Sequence, residues 1–216
     1  MTEQNFSDMR RAMVASQLRT TGVNDPRVVA AMGAVARERF VPPERRAMAY
    51  ADALVPLGHG RALSPPMALG RLLTEARLDG SERALAIGAA TGYSAAVLAR
   101  LARSVIMLEQ APELVAAARD ALAGSGVDVV EGPLAAGHAA GAPYDFILID
   151  GAVEHVPLPI VEQAADGGAI AFALAEEGVT RLCVGRVIGG AFGTTAFSDV
   201  AAARLPGFEK PRGFIF

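Results

Sequence analysis

The sequence predicts an α/β protein built around a mostly parallel β-sheet. From residue 83 onward, short apolar runs alternate with segments of helical periodicity, which is the pattern of consecutive strand–helix–strand units. The chain has 216 residues, of which 52% are hydrophobic, and this is enough for one α/β domain with a large core. We therefore expect a single domain over 1–216, with an N-terminal helical region at 1–80 and a Rossmann-like core at 81–216.

The N-terminal region carries several helix signals. Apolar residues recur at helical spacing from Phe6 to Leu18. Asp25-Pro26 predicts a helix start, because Asp can cap free amides and Pro fits the first helical position. Ser64-Pro65-Pro66 is a similar start signal, and it predicts a helix through residues 69–73.

The core region contains the predicted parallel strands. Each strand is a short apolar run, and most of these runs are separated by helical segments. Strands and helices that alternate in this way form a doubly wound, mostly parallel sheet. The predicted strands are residues 83–87, 105–108, 127–130, 146–149 and 169–174, and the predicted helices are residues 93–102, 112–123 and 157–165, with a turn at Gly167-Gly168.

The last part of the chain has a different pattern. Residues 179–188 and 191–197 predict a C-terminal antiparallel hairpin, because Gly189-Gly190 between them is a permitted two-residue turn. The stretch from Leu205 to Phe216 is rich in Pro and Gly. We expect it to be irregular, with its phenylalanines packed under the domain.

Composition argues against several classes of protein. The net charge is −3 and no basic block is visible, so nucleic-acid binding is not favoured. The single Cys183 cannot form an internal disulfide, and His59, His138 and His155 are too far apart in sequence to suggest a metal site. No apolar stretch reaches the roughly 20 residues that span a bilayer. We expect a cytoplasmic protein, while the oligomeric state stays open.

A candidate ligand site follows the first strand of the core. The chain turns through Gly88 and Gly92 into a helix, where glycine allows close approach of a ligand and the first helical turn leaves amide donors free. Glu109 comes 21 residues after Gly88, at the end of the next strand, where a carboxylate can accept hydrogen bonds from ribose hydroxyls. Two simpler interpretations remain: a turn without a ligand, and a Glu109 that is solvated or paired with an Arg.

Ala90 helps to distinguish between ligands. It stands in the middle of the turn, where a complete dinucleotide motif has glycine. A dinucleotide needs close backbone approach to its pyrophosphate, whereas a methylsulfonium ligand carries no phosphate. The turn therefore favours S-adenosylmethionine over NAD.

Several short motifs in a fixed order carry a family resemblance. One is Arg-Glu-Arg-Phe-Val-Pro at residues 37–42, and another is Leu-Ser-Pro-Pro-Met at residues 63–67. In this order the motifs resemble those of the protein-L-isoaspartate O-methyltransferase family. The others are residues 49–52 with 56–58, residues 92–99, and residues 142–145 followed by Pro157 and Gly167-Gly168.

The resemblance implies a class I methyltransferase fold with an added N-terminal helical region. It also implies an enzyme that moves a methyl group from S-adenosylmethionine to the free α-carboxylate of an L-isoaspartyl residue. The ester then closes to a succinimide, which can reopen as normal aspartate. The implied partners are damaged, isoaspartyl-containing proteins or peptides, and the implied role is protein repair.

The same resemblance assigns site residues. Ser64 is implied as the catalytic residue, beside the transferred methyl and the acceptor carboxylate, although Ser before Pro-Pro is also a good helix cap. A carboxylate acceptor is already ionised at pH 7, so alignment and exclusion of water can suffice for catalysis. The implied cofactor-binding residues are Pro66, Gly88, Ala90, Gly92, Glu109, Gln110, Gly132 and Pro133.

The chain departs from the family pattern at two polar positions. Ala86 stands where the family has an acidic residue at the end of its first strand, and Pro133 stands where an Asp contacts adenine. Each lost hydrogen bond to a charged group costs roughly 1.5–3 kcal/mol. Asp150, at the end of the fourth strand, can compensate or can simply cap the next loop.

These departures leave two alternatives to the repair enzyme. The first is a non-catalytic methyltransferase-fold protein in which cofactor binding is weakened or lost. The second is a methyltransferase with a different acceptor, which is suggested by a C-terminal segment that lacks the family's usual ending.

Overall fold

The N-terminal region is helical except for one hairpin. In the computed structural model, which describes residues 2–210, one π-helical turn and three 3-10 segments connect the helices. The hairpin is not predicted from the sequence, since strands this short carry almost no periodic signal. The helices are α1 (Glu3–Met13), α2 (Pro26–Ala34) and α3 (Pro66–Ala76), the turns are Val14–Leu18, Arg19–Thr21, Arg37–Phe40 and Pro43–Met48, and the antiparallel strands are β1 (Val55–Gly58) and β2 (Arg61–Leu63).

The predicted helix starts have different outcomes. Asp25 caps α2, because its carboxylate accepts hydrogen bonds from the amides of Arg27 (2.7 Å) and Val28 (3.3 Å). The capping role considered for Ser64 is wrong. Pro65 precedes α3, and the Ser64 hydroxyl donates a hydrogen bond to Asp150 instead.

The core is a seven-stranded sheet of the predicted kind. Its order is β5-β4-β3-β6-β7-β8-β9, with parallel pairing from β5 to β7 and antiparallel pairing from β7 to β9. The structure thus confirms a mostly parallel sheet that ends in a C-terminal hairpin. The strands are β3 (Arg83–Ile87), β4 (Ser104–Glu109), β5 (Val127–Glu131), β6 (Tyr144–Val153), β7 (Ala164–Glu176), β8 (Val179–Ile188) and β9 (Ala191–Asp199), and the helices are α4 (Tyr93–Leu98), α5 (Pro112–Ala121) and α6 (Leu158–Val161), with 3-10 turns at Leu134–Ala136 and Ala139–Gly141.

The prediction of a helix at residues 157–165 is wrong over much of its length. The helix α6 covers only Leu158–Val161, and β7 already begins at Ala164. The predicted turn at Gly167-Gly168 lies inside β7, at an irregular register where five positions of β7 face two of β6. A bulge of this kind interrupts the alternation that a sequence pattern needs.

Alternate residues of β3 face two hydrophobic clusters. Ala84 and Ala86 belong to the cluster that includes the N-terminal helices. Leu85 and Ile87 face the other cluster, which includes the C-terminal residues Leu205 and Phe208. The end of β3 therefore lies between the N-terminal region and the C-terminal segment.

After β9 the chain returns to β6 as a segment that we call the C-terminal strap, residues 200–208. Ala152 donates its N–H to the carbonyl of Ala203 (2.8 Å) and accepts from the N–H of Leu205 (2.9 Å). Leu205 and Phe208 are buried, which confirms the expected packing for Phe208. Phe214 and Phe216, included in the same expectation, lie outside the described residues.

Within residues 2–210, no helix has both the length and the apolar composition needed to cross a membrane.

Candidate functional site

The turn after β3 is a tight, buried loop. Gly88, Ala90 and Gly92 have φ values of +72°, +52° and +98°. Glycine is favoured at Gly92, because L side chains rarely adopt this φ and a Cβ atom there would also lie 2.7 Å from Cδ1 of Leu122. The amide of Gly88 donates to the carbonyl of Leu108 (2.8 Å), which fixes the loop against β4.

Glu109 closes this loop from the end of β4. Its side chain is fully buried. One carboxylate oxygen accepts from the amide of Ala90 (3.0 Å), and the other accepts from the amides of Gln110 (2.9 Å) and Ala111 (3.3 Å). The carboxylate is therefore already bound by three backbone donors of this chain.

A fourth donor to Glu109 comes from the β1–β2 hairpin. Nη1 of Arg61 lies 3.3 Å from Oε1 of Glu109, and Nη2 donates to the carbonyl of Gly88. The two side chains are only 4% and 0% exposed. A buried pair of this kind is costly to break, because either charge alone would be left in a low-dielectric interior.

Leu205 of the C-terminal strap fills the space next to this pair. A Cβ atom on Gly88 would lie 3.1 Å from Cδ1 of Leu205, and one on Gly151 would lie 2.6 Å from its Cγ. Gly88 follows β3 and Gly151 lies in β6, and these two strands are neighbours in the sheet. Leu205 therefore lies across the carboxyl ends of the parallel strands, where ligands bind in open α/β sheets.

In this arrangement, groups of the chain itself occupy the crevice in which an adenosyl ligand would lie. The carboxylate that would bind the ribose has four donors from the chain itself. The face of Gly88 that would admit the ligand is covered by Arg61 and Leu205. Ala86 is fully buried in an apolar cluster and Pro133 has no N–H to donate, so neither supplies a polar anchor.

The other predicted cofactor residues surround the crevice. The amide of Gly132 donates to the carbonyl of Glu109 (3.1 Å), which brings the end of β5 next to the end of β4. Pro66 is the first residue of α3 and is buried, whereas Gln110 and Pro133 are exposed. Backbone contacts thus join Gly88, Gly92, Ala90, Glu109 and Gly132 in one cluster, as predicted from the sequence.

Ser64 lies beside this cluster, at the carboxyl end of β6. Its hydroxyl donates to Oδ1 of Asp150 (3.0 Å), and both residues are half-buried. A cavity of about 10 Å³ adjoins the pair, with Gly151 and Leu182 in its lining. That volume is near the lower limit for a single water molecule.

Arg37 holds the backbone of Ser64 in place, and it was not predicted as a site residue from the sequence. The side chain is fully buried, and its guanidinium donates to the carbonyls of Ala49 and Ser64. Its Cζ lies 4.7 Å from the ring centroid of Tyr93, a cation–π distance. Burial lowers the pKa of Arg37, while Tyr93 and Asp150 oppose that effect. A cation inside the Arg-Glu-Arg-Phe-Val-Pro motif is the sequence signal that could have identified it.

A polar network joins α1 to this position. The Tyr50 hydroxyl donates to Glu38 and accepts from Nε of Arg10 (2.8 Å), and Arg10 also pairs with Glu38 (3.1 Å). Burial and the Glu38 carboxylate raise the pKa of Tyr50. The backbone amide of Arg37 donates to the same hydroxyl (3.3 Å), so the network helps to hold Arg37 in place.

Comparison with known proteins shows sequence similarity to the family that the motifs resemble. A family model described as protein-L-isoaspartate(D-aspartate) O-methyltransferase (PCMT) matches residues 9–184. Protein-L-isoaspartate O-methyltransferase 2 of Marinobacter nauticus is 38% identical over 213 residues, which are 95% of this chain and 96% of that protein. Protein-L-isoaspartate O-methyltransferase of Methanoregula boonei is 42% identical over 165 residues, 75% of this chain and 76% of that protein.

Solved structures of similar shape support the fold. A protein-L-isoaspartate O-methyltransferase superposes with a TM-score of 0.79 at 20% identity, covering 94% of this chain and 66% of that one. The β-aspartate methyltransferase (PCMT) of Plasmodium falciparum, in complex with S-adenosyl-L-homocysteine, gives 0.73 at 18% identity, covering 91% and 96%. These similarities confirm the predicted class I methyltransferase fold. By its family-model match and its close relatives, the chain belongs to the protein-L-isoaspartate(D-aspartate) O-methyltransferase family.

Proposed function

We propose that the chain methylates the free carboxylate of L-isoaspartyl residues in damaged proteins, with S-adenosylmethionine as the methyl donor, as a step of protein repair. The observation that carries the proposal is the family match over residues 9–184, which includes both Ser64 and Glu109. Its partners are then isoaspartyl-containing proteins or peptides. The cytoplasmic location stays a prediction from the sequence.

Ser64 is proposed as the residue that holds the acceptor carboxylate. Its hydroxyl lies at the carboxyl end of the sheet and donates its single hydrogen bond to Asp150 (3.0 Å), so it must turn from Asp150 to donate to the acceptor carboxylate. Arg37 fixes the backbone of Ser64 through the Ser64 carbonyl. Because the acceptor is ionised at pH 7, these residues need to orient it and exclude water, and no general base is required.

A methyl-transfer assay tests this function. Labelled methyl from S-adenosylmethionine should appear in a peptide that contains L-isoaspartate and not in the same peptide with normal aspartate. Replacing Ser64→Ala should lower kcat/KM by about tenfold to a hundredfold, the effect of one hydrogen bond to a charged group. The matched control is Ser104→Ala, since Ser104 is exposed at the start of β4. Equal labelling of both peptides, or none, would reject the proposal.

The filled crevice favours a second candidate, a non-catalytic member of the family. Arg61 and Leu205 cover Gly88, and Ala86 and Pro133 offer no polar anchor. Such a protein would keep the fold as a binding or assembly module. Under this candidate, S-adenosylhomocysteine would bind neither the wild-type chain nor variants in which Arg61 or Leu205 is replaced by a smaller side chain.

A further inference from the structure

We propose that Arg61 and Leu205 form a plug that holds the cofactor crevice closed and must move before an adenosyl ligand can bind. The inference rests on the proposed function, because it concerns the same crevice. It assigns to these two side chains a role in controlling access, which nothing in the family resemblance gives them.

Arg61 competes directly for the ribose-binding carboxylate. Its guanidinium contacts Glu109 at 3.3 Å and also reaches the carbonyl of Gly88, so it spans the two groups that define the crevice. A ribose cannot take the same oxygen of Glu109 while the guanidinium lies there. Binding of both ribose hydroxyls, one on each carboxylate oxygen, therefore requires Arg61 to leave or to rotate away.

Leu205 blocks the crevice from the other side. Its side chain packs against Gly88 and Gly151, which have no side chains of their own to keep the leucine away from the backbone. Leu205 is only 3% exposed, so the burial of its apolar side chain stabilises the closed crevice. A nucleoside that approached Gly88 would meet the leucine before it met the loop.

Both parts of the plug are carried by small elements that can move without unfolding the sheet. Arg61 is on β2, a strand of only three residues. The C-terminal strap meets β6 through a single bridge, Ala152 to Arg204, and a few flanking hydrogen bonds. Elements with so few backbone contacts can open locally without unfolding the sheet, and the buried Arg61–Glu109 pair supplies the free-energy cost that keeps the crevice closed.

When the crevice is mostly closed, the apparent affinity equals the affinity of the open form multiplied by the fraction of molecules that are open. If each half of the plug is displaced in fewer than about one molecule in ten, removing that half should raise the affinity by about tenfold or more. This gain would be the reverse of the usual effect, since deleting side chains at a binding site normally weakens binding.

The test is calorimetric titration of the purified full chain with S-adenosylhomocysteine. Leu205→Ala and Arg61→Gln should each bind at least about tenfold more tightly than the wild type. The matched controls are Leu158→Ala and Arg100→Gln, two exposed side chains, which should bind like the wild type. Circular dichroism confirms that each variant is folded, and Leu205→Ala leaves the Arg61–Glu109 pair intact if Arg61→Gln fails to fold.

Equal or weaker binding by a folded Leu205→Ala variant, or no binding by any variant, would overturn the proposal. The methyl-transfer assay separates it from the proposed function. A variant that binds S-adenosylhomocysteine tightly but labels no isoaspartyl peptide leaves the plug and rejects the function. A wild type that labels the peptide and binds as tightly as the variants leaves the function and rejects the plug.

Discussion

Among single residues, Glu109 has the environment with the most consequences for ligand binding. In a cofactor site its carboxylate would face solvent until the ribose arrives. Here it is fully buried and accepts hydrogen bonds from Arg61 and from three backbone amides. The same carboxylate therefore helps to hold β4, the β3 turn and the β1–β2 hairpin together.

Replacing Glu109→Gln should for this reason destabilise the fold. The substitution leaves the buried Arg61 without a counter-ion, and losing one partner of a buried pair costs roughly 3–5 kcal/mol. The free energy of unfolding, measured by urea denaturation, should fall by about that amount. Glu131→Gln, an exposed carboxylate at the end of β5, is the control and should change it by less than about 0.5 kcal/mol. An equal effect of both substitutions would show that the carboxylate is solvated.

The long-range contacts of single residues are the part of the site that could not be predicted from the sequence. The sequence indicated the site cluster of Gly88, Ala90 and Glu109, and it left open that Glu109 pairs with an Arg. It could not name Arg61 as that partner, because 48 residues separate the two and no periodic pattern spans such a distance. Leu205 was missed for the same reason, since its contacts depend on how the strap returns to β6.

Among the elements, the C-terminal strap and the residues just after it are attached in part by Glu154. The Glu154 carboxylate accepts from the backbone amide of Lys210 (2.9 Å) and pairs with Arg204. These two interactions, the amide first, lower the pKa of Glu154. A lowered pKa means that the ionised carboxylate stabilises the docked strap, and that protonation weakens it.

The attachment of the strap should therefore depend on pH in the acid range. The stabilisation is complete above the ordinary glutamate pKa of about 4.3 and is lost as the pH falls through the lowered pKa. Hydrogen exchange of the Leu205 amide, corrected for its intrinsic rate, should show protection that drops below about pH 4.3. In Glu154→Gln the protection should be lower at neutral pH and should lack this drop. Protection that falls equally in both proteins would instead indicate general acid unfolding.

For the molecule as a whole, one hydrophobic core connects the N-terminal helices to the sheet. Gly70 of α3 shows how closely the N-terminal segments pack against each other, because a Cβ atom there would lie 2.8 Å from Cγ2 of Val23, and α3 itself contacts β7 and β8. This continuity supports a single domain, which remains a prediction from the length of the chain. The five core strands and the C-terminal hairpin were predictable because each of these strands is a clear apolar run. The β1–β2 hairpin and the bulged start of β7 were not, since short or irregular strands lose that periodicity.

The most direct test of the closed crevice is a pair of crystal structures, one of the chain alone and one grown with S-adenosylhomocysteine. In the first, the Arg61 guanidinium should lie on Glu109 and Leu205 should lie against Gly88. In the second, any adenosyl group bound between Gly88 and Glu109 should be accompanied by displacement of both side chains. A ligand seated there with Arg61 and Leu205 still in place, or a ligand-free crevice that is open to solvent, would contradict this account.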